Sequence, residues 1–135
     1  MSTLENSVIF DKGELITNDY FTGNAYLKML VPEDTVYNCP IGNVTFEPGA
    51  RNNWHKHDGG QILLVTGGTG YYQEEEGKPA QLLREGDVVT IPKDVKHWHG
   101  ATKDSWFVHL AISTNVELGG TTWLEPVSNE HYNNL

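Results

Sequence analysis

Six side chains in this sequence have types and spacings suited to chemistry at a metal ion. His55 and His57 stand two apart, and in an extended chain residues i and i+2 project from one face, so both imidazoles can reach the same point. Gln61 follows across Asp58-Gly59-Gly60, a turn signal, and the apolar run Ile62–Val65 reads as a strand returning beside the first. Such a hairpin would converge two imidazoles and an amide. His97, far along the chain after Pro92-Lys93-Asp94-Val95-Lys96, supplies a third imidazole. Three nitrogen ligands and a harder amide oxygen, with no thiolate nearby, suit a first-row divalent ion. The set His55, His57, Gln61 and His97 is therefore the candidate metal site. Two further histidines could move protons there. His99 shares a face with His97 if the backbone stays extended; the alternative is packing at the rim with Trp98. His109 interrupts an apolar strand on the face shared by Phe107 and Ala111, where it is either a proton-transfer group or a core histidine with a hydrogen-bond partner. His131, in a polar tail, reads as a surface residue.

The elements that must position these groups are short strands. Ala25–Val31, Gly42–Phe46, Ile62–Val65, Tyr71–Gln73, Ala80–Leu83, Val88–Ile91 and Trp106–Ile112 alternate or run apolar between turn signals, with little helical periodicity. Val8-Ile9-Phe10 is a further short candidate after a polar, loose start at Met1–Asn6. That succession argues an all-β fold, an antiparallel barrel or sandwich. Residues 123–135 form a tail with room for one short helix.

Several functions are disfavoured. The cluster Gly67-Gly68-Thr69-Gly70 leads into Tyr71-Tyr72-Gln73, a strand pattern and not the helix a phosphate loop requires, so a bulged turn is the better reading. Glu74-Glu75-Glu76 cannot turn all three carboxylates one way in an extended chain, which argues for a solvated hairpin tip over a calcium site. A formal net charge of −9 and a pI near 4.9, with no basic stripe, argue against nucleic acid. No apolar run has membrane-spanning length. Cys39 is the one cysteine, and the start lacks a basic region followed by an apolar run, so a cytoplasmic location is expected. A chain of 135 residues has room for one core, which sets the expectation of one domain over 1–135: an N-terminal strand or arm at 1–20, a metal-binding barrel at 42–112 and the tail at 123–135.

The two halves share a grammar, Gly-x5-His-x-His-x3-Gln-x6-Gly from Gly49 to Gly68 and Gly-x5-Pro-x4-His from Gly86 to His97. This resembles the double motif of the cupin superfamily, with Asp94 where a glycine is common and Ala101 where an asparagine is common. The segments Val44–Arg51, Trp54–His57, Gly60–Thr66, Gly86–Val89, Lys96–Ala101 and His109–Ile112 are further similar to small single-domain cupins that include the bacterial manganese-dependent hydroxynitrile lyases, a group that also bears a carboxymuconolactone-decarboxylase-like label. The resemblance implies an antiparallel double-stranded β-helix (the cupin jelly-roll barrel), ligands at His55, His57, Gln61 and His97, and pocket positions for His99 and His109. Ser113 stands where the lyase members have a glutamine, four residues after His109.

Three neutral imidazoles and a neutral amide leave both charges of a divalent ion uncompensated, which makes it a strong Lewis acid. The expectation is a metal-dependent lyase acting on a small oxygenated molecule: a hydroxynitrile, a hydroxy or keto acid, or a lactone. Manganese is the first choice of ion, with iron, nickel, zinc and copper as the others. A dioxygenase using a redox metal and a non-catalytic small-ligand-binding protein are the alternatives. The expected partners are a small-molecule substrate and further copies of the chain in a homodimer or homotetramer, with Val8–Phe10 and Trp123-Leu124 as candidates for covering a sheet edge.

Overall fold

The computed structural model describes residues 9–75 and 77–135. Its strands are β1 (Glu14–Leu15), β2 (Phe21–Thr22), β3 (Ala25–Val31), β4 (Ile41–Phe46), β5 (Arg51–Asn52), β6 (His55–His57), β7 (Gln61–Glu74), β8 (Gln81–Arg84), β9 (Val88–Ile91), β10 (His97–Ala101), β11 (Phe107–Ser113) and β12 (Thr121–Trp123). One short helix, α1 (Asn129–Asn133), lies in the tail, capped by the Ser128 side chain on the His131 amide. Every strand pairing is antiparallel. The all-β antiparallel barrel expected from the strand succession is what forms.

The sheet curls because β7 belongs to both walls. Its first half pairs with β11 and β9, and its second half with β10 and β8. The glycine cluster sits at the crossing, and the expected turn there is absent: β7 runs through it unbroken, with a bulge opposite Val108 and His109. Gly68 is required at the bend. It has φ of +71°, and a Cβ there would stand 1.6 Å from the Trp106 carbonyl oxygen. Between the walls Phe46, Leu63, Val65, Tyr72, Leu83, Ile91 and Phe107 form the main core.

A second apolar cluster lies on the outer face of β10, where Trp54, Trp98, Val127 and Tyr132 bury one another. Arg51 ties the tail to this wall. Its guanidinium donates to the Val127 carbonyl (2.9 Å) and to Asn129 Oδ1 (2.7 Å), and lies 4.4 Å from the Tyr132 ring centre. His131 is half-buried here with Nε2 2.7 Å from Gln73 Oε1, so it belongs to this packing and not to an open surface. The Val8–Phe10 strand does not form over the described part, since Ile9 and Phe10 lie in a bend; Val8 and the Met1–Asn6 start lie outside the described residues. Among the described residues no helix is long and apolar enough to cross a membrane.

Candidate metal centre and cavity

The strand β6 reads His55-Lys56-His57, and alternation buries the two imidazoles while Lys56 turns away. The antiparallel partner β10 sets His97 directly opposite His55. The ligand atoms of His55, His57 and His97 lie within 4.8 Å of one another. The expected hairpin from β6 to the Gln61 strand does not form. β6 pairs with β10 and β12, while Gln61 opens β7 and pairs across to β9 and β11. The reason lies in the intervening glycines: Gly60 has φ of +89°, and the space a Gly59 side chain would need is filled by the Thr114 and Asn115 backbone, so the link arches from one wall to the other. Gln61 still reaches the site. Its amide stands beside the His57 ring and lines the same cavity.

The rings are held in a defined tautomer. His55 Nδ1 donates to the Asn53 carbonyl (2.8 Å) and His97 Nδ1 to the Val95 carbonyl (2.9 Å). A carbonyl can only accept, so each Nδ1 carries the proton and each Nε2 keeps its lone pair. His57 Nδ1 lies 3.0 Å from the Thr121 hydroxyl. The Nε2 atoms of His57 and His97 are buried and have no hydrogen-bond partner. Burial lowers the pKa of His57 and of His97 to about 4, and burial together with the neighbouring His97 and His57 rings lowers that of His55 well below the ordinary value. At neutral pH the cluster is therefore a set of uncharged nitrogen donors, those of His57 and His97 without a hydrogen-bond partner, and such donors fit a first-row divalent ion.

β10 continues extended through His99, which turns the same way as His97, so the cavity alternative holds and not the rim. Asn52 fixes His99: its Oδ1 accepts the His99 backbone N–H at 3.0 Å, and its Nδ2 lies 3.2 Å from Nε2 and 3.3 Å from Nδ1 of the ring. On β11, His109 faces inward, and its ring meets that of His99 at 4.8 Å between centres and 79° between planes. Neither ring nitrogen of His109 makes a hydrogen bond of normal geometry. Burial holds it at about 4, opposed by a backbone contact at Leu110. His109 lines the cavity and keeps a polar contact to the Leu110 backbone.

His55, His57, His99 and His109 line a cavity of about 650 Å³ together with Phe21, Val44, Asn52, Ala111, Ser113, Thr121 and Trp123. Of these, Asn52, Thr121, Phe21 and Val44 carried no functional signal in the sequence, because short polar and apolar residues in strands have nothing to set them apart.

A curled antiparallel barrel with two imidazoles on one strand and a third on its neighbour defines a class, and residues 42–113 match the family described as the Cupin domain; the chain belongs to the cupins. Among particular relatives, it is 40% identical over 114 residues to an (R)-mandelonitrile lyase of Granulicella tundricola, covering 84% of this chain and 86% of that one. A crystal structure of a cupin-like protein from Thermotoga maritima superposes with a TM-score of 0.89 at 53% identity, covering 93% of this chain and 95% of that one. A cupin-2 domain protein of Rhodospirillum rubrum, at a TM-score of 0.68 and 16% identity over 90% of this chain and 80% of that one, shares the fold.

Proposed function

We propose that the protein is a metal-dependent lyase that cleaves a small hydroxynitrile into an aldehyde and hydrogen cyanide. The observation that carries this is the meeting of two unsatisfied groups at one cavity: His57, whose Nε2 belongs to the three-imidazole cluster, and His109, neither of whose ring nitrogens makes a hydrogen bond of normal geometry. A buried polar group without a partner is costly, so a group of this kind in a cavity is best explained by a ligand it is built to meet.

His55, His57, His97 and the Gln61 amide would hold the ion, with manganese as the first choice. A bound divalent ion supplies a Lewis acid for the substrate's hydroxyl oxygen as negative charge develops there. His109, neutral at physiological pH, accepts the hydroxyl proton. The bond from the carbinol carbon to the nitrile carbon breaks, the oxygen forms the carbonyl, and the departing cyanide takes the proton back and leaves as hydrogen cyanide. His99, held by Asn52, packs edge-on against His109 and limits its rotation. Phe21, Val44, Ala111 and Trp123 offer apolar surface to the rest of the substrate. The cavity lining holds the carboxylates of Glu33 and Asp34 and, among the described residues, no lysine or arginine. The mandelonitrile lyase relative supports the same chemistry.

The test is to strip the purified protein of metal, reload it with Mn(II), Fe(II), Ni(II) or Zn(II) in turn, and follow benzaldehyde release from mandelonitrile under argon. Metal-dependent release is expected. If no loaded form releases aldehyde above the rate of the stripped protein, the lyase reading fails, and a requirement for dioxygen would replace it with oxygenase chemistry.

A further inference from the structure

Two of the three imidazoles are oriented by their own strands, since the carbonyls of Asn53 and Val95 that accept from His55 and His97 each lie two residues before the ring they hold. His57 differs. Its Nδ1 partner is the Thr121 hydroxyl, 64 residues away on β12. The register places Thr121 opposite His57 and Trp123 opposite His55, and the Trp123 ring lies 4.6 Å from the His55 ring, itself stacked by Tyr20 at 4.7 Å and 4°. One three-residue strand thus touches two of the three rings.

β12 is anchored more heavily beyond its C-terminal end than before its start. Beyond its C-terminal end the chain is fixed by Leu124 on the Trp54 backbone, by buried Val127 and Tyr132, and by Arg51. Before Thr121 the chain passes through exposed Gly119 and Gly120, tied by the Asp58 N–H to the Gly120 carbonyl at 3.0 Å, and β12 pairs with β6 alone. A short edge strand reached through two glycines has little local stability of its own.

We propose that β12 is a strap that completes the metal site: Thr121 is a positioning residue that holds His57 in its ligating orientation, and ion binding and strap docking stabilise each other. This rests on the metal reading above. An outer partner that fixes a ligating imidazole is worth about 10–100-fold in metal affinity. Coupling between two binding events is reciprocal, so whatever the docked strap adds to ion affinity, the ion returns to the strap.

The experiment uses the full chain with Mn(II) as the probe, titrated by electron paramagnetic resonance, alongside Thr121→Val and Thr121→Ser. The valine variant is expected to bind Mn(II) about tenfold or more weakly, and the serine variant, which keeps the hydroxyl, to bind as the parent does. Hydrogen exchange on the parent protein alone supplies the second arm: amides of residues 119–125 are expected to gain protection on Mn(II) loading beyond that of β1, an edge strand remote from the site. Unchanged affinity in Thr121→Val, or equal protection of both edges, overturns the strap. If the parent protein binds no Mn(II) at all, the metal reading itself falls, an outcome distinct from either.

Discussion

His99 and His109 meet edge to face with ring centres 4.8 Å apart, one anchored by Asn52 and the other with no hydrogen bond to either nitrogen. The asymmetry sets the two rings apart. A ring held by an amide is a fixed wall, whereas a ring with both nitrogens unsatisfied beside a cavity is available to a ligand. Both come from sequence alternation, since Phe107, His109, Ala111 and Ser113 share the inner face of β11 and His97 and His99 share that of β10.

Replacing His109 by Phe separates activity from stability. The ring sits among Phe46 and Phe107 at 5.8 and 5.4 Å, so a phenyl group fits its apolar surroundings. His109→Phe is expected to lower kcat by about 10²-fold or more, the usual worth of a general base, while removing an unsatisfied polar group stabilises the fold by about 1 kcal/mol. Metal content by elemental analysis should not change. Retention of full turnover would remove His109 from the chemistry.

Acid should destabilise the metal-free protein in a defined window. The folded-state pKa values of His57, His97 and His109 are lowered to about 4, and those of His55 and His99 are lowered well below the ordinary value, in each case first by burial. Between pH 6.5 and about 4 the unfolded rings bind protons that the folded rings do not, so stability falls as pH falls through this range and is level above it. For His57, His97 and His109 the loss is on the order of a few kcal/mol each at the acid end of this window. Urea unfolding at pH 7, 6, 5 and 4.5 reads it; a midpoint that holds steady across the window contradicts the burial.

How much of this was legible in advance follows from which interactions are local. The pairing of His55 with His57 needs only the two-residue repeat of a strand, and the inward turn of His109 needs only the apolar neighbours two residues either side. The partner of β6 is another matter. Asp58-Gly59-Gly60 reads as a hairpin because glycines permit one, and the arch that forms is decided by the Thr114 and Asn115 backbone packed against Gly59 from more than 50 residues away. Gly67-Gly68 misleads in the same way, since the carbonyl that forbids a side chain there belongs to Trp106. Asn52 and Thr121 gave no signal at all: their value lies in the rings they touch across the sheet.

Ser113 is the place to look for substrate tuning. It lines the cavity on the same face as His109, at the position where the resembling lyases have a glutamine. Ser113→Gln extends a donor and acceptor toward the substrate, and one added hydrogen bond in the transition state corresponds to about tenfold in rate. The expected result is a rise of about that size in kcat/KM for mandelonitrile. A fall with unchanged metal content would mean that this cavity is shaped for a different molecule.

On the proposed metal reading, Gln61 would decide how much charge a bound ion keeps. Its amide stands beside the His57 ring and is neutral, as are all three imidazoles at neutral pH, so a ligand set of these four groups would take no charge from the ion. Gln61→Glu changes a single atom group and adds one negative charge within reach of the site. The carboxylate attracts the ion more strongly than an amide does, and Mn(II) affinity is expected to rise by about tenfold. The same charge weakens the ion's pull on a developing alkoxide, so kcat should fall, by about tenfold or more, even as the site fills more readily. Affinity and turnover moving in opposite directions is the signature of a Lewis acid. If both rise together the ion serves to bind substrate and not to stabilise charge, and if neither moves Gln61 lies outside the coordination sphere.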